Sequence, residues 1–158
     1  MSPVRPVGWA PVARNQVYPH MAKHDARIWE RFLAAYLGFF TDAAYDVALG
    51  GAETADPDAT EADRLMWKWN TAKRIDAVVR NADEIWLCEV RPGAGLSAVG
   101  AVLGYTVLSE HDRWATLPIV PTIVTDHMDD DTKLVCRELE IQVVELPEPE
   151  PVEPIRGG

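Results

Sequence analysis

The stretch KRIDAVVRNADEIWLCEVRP, residues 73–92, sets an acid inside each of two apolar runs: Asp76 in the first and Glu89 in the second, with Arg91 two residues on. Strand periodicity puts Arg74, Asp76 and Val78 on one face of the first run and Ile75, Ala77 and Val79 on the other. In the second run Ile85, Leu87, Glu89 and Arg91 share a face opposite Trp86, Cys88 and Val90. A two-residue link at Ala82 and Asp83 would set Asn81 against Glu84, and hence Asp76 against Glu89 and Arg74 against Arg91. The link lacks the glycine such turns favour, and a bulge would shift the register. Like charges so placed repel and resist burial unless water or a cation compensates them. Mg²⁺ is commonly held by one or two carboxylates together with waters and substrate phosphates, so the pair reads as a candidate divalent-metal site. The bland alternative is a solvated pair on an open sheet face, ion-paired to Arg74 and Arg91.

The elements that would position this pair follow from periodicity and punctuation. Ile28, Trp29, Phe32, Leu33, Tyr36 and Leu37 recur at helical spacing over 23–39, with Gly38 near the end. AAYDVALGG reads as a strand closed by a glycine turn, and AETADPDATEAD as an exposed acidic loop. After the two strands, Leu96, Val99, Leu103, Thr106 and Val107 define the apolar stripe of a second helix. PTIVTDHM is then a strand, DDDTKLVCRELE a helix with acids in its first turn, and IQVVEL a last strand. The expected class is mixed α/β (α+β), a sheet flanked by helices in the order αβββαβαβ. Residues 1–20, broken by four prolines, form an extended arm whose Trp9 and Tyr18 pack on its own domain or on a neighbour. The domain spans 21–146, and the Pro/Glu-rich tail 147–158 is an extended peptide.

That order, with Asp in one strand and Glu-x-cation in the next, resembles the PD-(D/E)XK (restriction-endonuclease-like) nuclease superfamily over roughly residues 23–128. The resemblance implies a restriction-endonuclease-like sheet and a Mg²⁺ (or Mn²⁺) site. Asp76 and Glu89 would be ligands, the carbonyl of Val90 a third, and an acid of the first helix an accessory. Glu30 is the first candidate for that acid and Asp25 its competitor. Arg91 stands where the family usually has lysine; it can stabilise developing negative charge but cannot act as a base. Ala101 stands where the family's helix often projects a glutamine. The resemblance therefore implies either a metal-dependent DNA nuclease, with Asp76, Glu89 and Arg91 catalytic, or a catalytically inactive relative. The latter would serve as a structural, assembly or binding module, for example in a virus (phage) particle.

Composition narrows the classes. The 158 residues suit one domain with a real core. A net charge of −10 has the wrong sign for a broad nucleic-acid surface. Any DNA contact is expected at a local basic patch of Lys68, Lys73, Arg74 and Arg91, with Arg80 nearby. Trp67 and Trp69 would stack there, or, alternating as on a strand, sit in the core. Homo-oligomer or particle neighbours are expected through residues 1–20 and 147–158. Cys88 and Cys136 lack metal or disulfide spacing and read as buried thiols. His20, His24, His111 and His127 form no ligand motif and read as surface residues. Asp126, Asp129, Asp130 and Asp131 lack the glycine and glutamate of a calcium loop and read as a charged helix start. No apolar run approaches a membrane span, and the expectation is a soluble, intracellular (cytoplasmic) protein, or one carried in a virion.

Overall fold

A computed structural model describes residues 7–151. The chain is a mixed α/β fold in which six strands form one sheet in sequence order. The elements are β1 (Ala10–Pro11), α1 (Lys23–Ala35), β2 (Asp42–Leu49), α2 (Glu61–Thr71), β3 (Lys73–Arg80), β4 (Ile85–Val90), α3 (Leu96–Asp112), β5 (Ile119–Thr125), α4 (Asp130–Glu138) and β6 (Gln142–Glu145). Strands β1 to β4 pair antiparallel, and β5 and β6 continue parallel to β4. The change to parallel pairing falls where α3 supplies the crossover that a parallel connection needs.

Helix α1 covers one face of the sheet. Its Ile28, Trp29, Phe32 and Leu33 are buried against Ala77, Val79, Trp86, Cys88 and Val124. Trp29 stacks on Phe32 at 4.6 Å and donates its indole N–H to the Tyr45 hydroxyl at 3.0 Å. Helices α3 and α4 cover the other face, where Ala98, Val99 and Val102 meet Ile123 and Cys136. The expected stripe of α3 is rotated. Ala98, Val99 and Val102 face the sheet, while Leu96 and Val107 are 65% and 64% exposed, because small residues let the helix lie close to the strands.

Two elements lie outside the expected order. Strand β1 is the described end of the arm: it pairs with β2, Val12 donates to the Thr41 carbonyl, and Trp9 packs near Trp114 at 6.5 Å. The described arm thus packs on its own domain. Residues 1–6 and 152–158, the rest of the expected arm and most of the tail, lie outside the described residues. Helix α2 occupies the end of the acidic loop and the tryptophan segment. Thr60 caps the Asp63 N–H while the Asp63 carboxylate accepts from the Thr60 N–H, a reciprocal capping box that outweighs the strand-like alternation of Trp67 and Trp69. No described residue of α2 is buried, and Trp67 is 50% exposed, so neither tryptophan is a core strand residue.

Candidate metal centre

The β3–β4 link is the two-residue turn expected, with Ala77 opposite Cys88, Val78 opposite Leu87, Val79 opposite Trp86 and Arg80 opposite Ile85. Asn81 takes the place of the missing glycine: its side-chain oxygen accepts from the N–H groups of Asp83 and Glu84 at 2.9 and 3.0 Å. The ladder stops one pair short of Asp76 and Glu89. There the Val90 N–H, which a continued ladder would give to a main-chain carbonyl, donates to Asp76 Oδ2 at 2.9 Å. A carboxylate closes the gap between the strands, while β4 stays paired to β5 through Glu89 and Val90.

Strict alternation also fails at this point. Ile75 should share a face with Ala77 and Val79, yet it packs with Val78 and Leu87 beneath α3. The slip coincides with Asp46 on β2, whose φ of +50° interrupts the β2–β3 ladder beside Asp76. Strand β4 keeps its alternation, with Ile85 and Leu87 on the α3 side and Trp86, Cys88 and Val90 on the α1 side.

Glu89 is 3% exposed. Its Oε1 accepts from Arg91 Nη2 at 2.5 Å, and the same guanidinium donates through Nη1 to Ser97 Oγ, in the first turn of α3, at 2.6 Å. Glu89 Oε2 is buried and takes no hydrogen bond from Arg91, while the Asp76 carboxyl and the Tyr105 hydroxyl interact with the same side chain. Burial first, and then the Asp76 charge, push the Glu89 carboxyl up to about 7 against the pull of Arg91. Asp76 is raised in the same direction, by burial and by the Asp25 charge, and held back by the Val90 N–H. Tyr105 on α3 faces the same acids; burial and the charge of Glu89 raise its hydroxyl.

The chain matches no family model, no curated protein and no solved structure. The site therefore rests on its own geometry. Asp76, Glu89, Val90 and Arg91 come together at one strand end. Of the two accessory acids, Asp25 is the one whose charge reaches Asp76. Glu30 instead fastens the arm: it accepts from the Tyr18 hydroxyl, from the Asn15 N–H at 2.6 Å, and pairs with Arg14 at 3.5 Å. Among the described residues no three His, Cys, Asp or Glu side chains converge as a ready metal cage. Mg²⁺ needs only one or two carboxylates if water and phosphate complete its shell, and two neighbouring acids with a single arginine between them suit such an ion. The donor set fits a hard divalent cation.

The expected basic patch is largely neutralised within the chain. Lys68 pairs with Glu53 at 3.0 Å, Arg74 with Asp46 at 2.8 Å and Arg91 with Glu89. Arg74 also lies over the Trp69 ring, 3.7 Å from its centroid, and so does not face Arg91 or serve the acids. Arg80 pairs with Asp42 at 3.0 Å and lies over Trp9. Ala101 lines a cavity of about 530 Å³ with Lys73, Leu103 and Tyr105. Asp129 caps α4 through the Thr132 N–H, as a charged helix start would, whereas Asp126 accepts from the Gly93 N–H and pairs with His24 at 3.3 Å. His24 is therefore partly enclosed rather than a free surface residue. Ser97 and Tyr105 carried no sequence signal of their own; Tyr105, one turn beyond Ala101 on the same helix, was the legible place to look. No helix is long and apolar enough to cross a membrane among the described residues.

Proposed function

We propose that this chain is a divergent PD-(D/E)XK-type protein whose strand-end acids hold Mg²⁺ or Mn²⁺ for hydrolysis of a DNA phosphodiester. The observation that carries this reading is the pair of carboxylates, buried Glu89 and half-buried Asp76, brought together where the β3–β4 ladder stops, with Arg91 reaching only one oxygen of Glu89. Bound there, the metal would supply Lewis acidity and an activated water. Asp76 and Glu89 would hold it, with Asp25 adding negative charge from α1. Arg91, which stays protonated, would steady charge on the phosphate. Burial keeps both acids in want of a cation, so ion binding relieves a cost the fold already bears.

A second reading is an inactive relative used in assembly. The outward faces of α2 and α3 favour it: Leu65, Met66, Trp67, Leu96 and Val107 are all at least half exposed. Mg²⁺- and Mn²⁺-dependent cleavage of single- and double-stranded DNA by wild type, Asp76→Ala and Arg91→Lys separates the two. Cleavage by wild type that Asp76→Ala abolishes is the expected result. Silence of wild type and Arg91→Lys alike, with light scattering showing a multimer, would replace the nuclease with the assembly module.

A further inference from the structure

Resting on the metal-site reading, we propose that Ser97 is a positioning residue that clamps Arg91 onto Glu89 as a built-in counter-cation, so that Arg91 and a divalent ion compete for the same carboxylate. The geometry is a bridge. One η nitrogen of Arg91 donates to Glu89 Oε1 at the end of β4 and the other to Ser97 Oγ in the first turn of α3, at 2.5 and 2.6 Å. A guanidinium held at both η nitrogens is fixed in orientation, and that orientation sets its positive charge against Glu89 without any metal.

The backbone fixes the distance that Arg91 must span. Residue 91 lies just past β4, its N–H still bonded to the Val124 carbonyl at 3.0 Å, and the chain then turns through Pro92 and Gly93. Gly93 has φ +52°, and its N–H donates to Asp126 at 2.8 Å, while Ala94 donates to Thr125 Oγ1. The turn is thereby tied to the end of β5, and α3 starts with Ser97 facing the guanidinium. Arg91 reaches only Oε1 of Glu89, and what else faces that carboxylate, Asp76 and the Tyr105 hydroxyl, brings no positive charge. The clamp is therefore incomplete compensation: it brings one positive charge to the acid and is displaceable by an ion that would bring two.

Loosening the clamp favours the ion. Removing the Ser97 hydroxyl forfeits one hydrogen bond to a charged group, and Mn²⁺ should bind about 3- to 10-fold more tightly to Ser97→Ala than to wild type. Arg91→Gln, which removes the competing charge, should tighten binding by about tenfold or more. The test is Mn²⁺ titration by electron paramagnetic resonance and calorimetry on wild type, Ser97→Ala, Arg91→Gln and Asp76→Asn, with thermal melts confirming that each is folded. Tightening in the first two variants and loss in Asp76→Asn is the expected pattern. Binding that depends on Asp76 but is equal or weaker in Ser97→Ala and Arg91→Gln would overturn the clamp and leave the metal site standing. Absence of Mn²⁺ binding in all four folded proteins would overturn both.

Discussion

At the turn end of the β3–β4 hairpin the strands are paired up to the link, the Asn81 side chain accepts from the N–H groups of Asp83 and Glu84, and Val79 and Trp86 face each other within an aromatic cluster. At the other end of the same two strands the ladder stops, a carboxylate substitutes for a carbonyl, and a second carboxylate is buried with an arginine bound to one oxygen. The two ends lie a few residues apart on shared strands, so their difference is not one of local propensity. The closed end is built for stability, since its strands are paired and its apolar groups packed. The open end holds buried like charges that apolar residues of similar shape would replace without loss. A fold keeps such a cost where the charges do something.

Truncation sharpens the contrast most. Trp86 is 5% exposed and lies 4.8 Å from the Phe40 ring and 5.2 Å from Tyr36, so Trp86→Ala should cost about 3–5 kcal/mol in urea unfolding. At the open end the expected sign is reversed. Glu89 is raised from 4.5 to about 7 on folding, so the native state binds the extra proton between those values. Stability is greatest below pH 4.5 as far as this group is concerned, and falls as pH rises to about 7. Metal-free protein should lose on the order of 2 kcal/mol between pH 5 and 8. Asp76, raised in the same direction, adds to this fall, whereas Asp129 and Glu145, held low by the Thr132 and Met128 N–H groups, act only at lower pH. Glu89→Gln should flatten the fall, and so should saturating Mg²⁺ if the ion binds here. A slope unchanged in Glu89→Gln would mean that the open end carries no such cost.

The parts legible in the sequence were those fixed by short-range rules. Alternation in β4 and the register of the turn came through because the link is two residues long and the two faces of β4 are filled by different side chains, Trp86, Cys88 and Val90 toward α1 and Ile85 and Leu87 toward α3. Helix α1 came through by period and α4 by the acids of its first turn, whereas α3 came through as a helix with its apolar stripe misplaced. Helix α2 was hidden by its own composition: the capping box at Thr60 and Asp63 was present in the text, but acidic residues and alternating tryptophans pointed elsewhere. Ile75 was misplaced because the break beside it coincides with the left-handed backbone of Asp46 on the neighbouring strand, which no local pattern of β3 records. In the site, Asp76 and Glu89 were legible as acids in apolar runs. That Asp25 reaches Asp76 while Glu30 fastens the arm depends on which side of α1 the arm crosses, a tertiary fact.

The smallest effect tests the closed end on its own terms. The link between the strands has no glycine, and Asp83 and Glu84 both direct their N–H groups at the Asn81 side-chain oxygen, while the Asn81 N–H donates to the Glu84 carbonyl at 3.2 Å. If that side chain is what replaces the glycine, Asn81→Ala should cost about 1 kcal/mol, one net hydrogen bond with the second N–H left to solvent. Asn81→Ser, whose hydroxyl makes the same turn more weakly, should lose less. Neither should alter the pH slope set by Glu89, because the turn end and the acid end are joined only through the paired residues between them, and changes at separated sites add. A change of slope in Asn81→Ala would show that strand pairing at the turn also governs the gap that Asp76 closes, and the two ends would then be one cooperative unit.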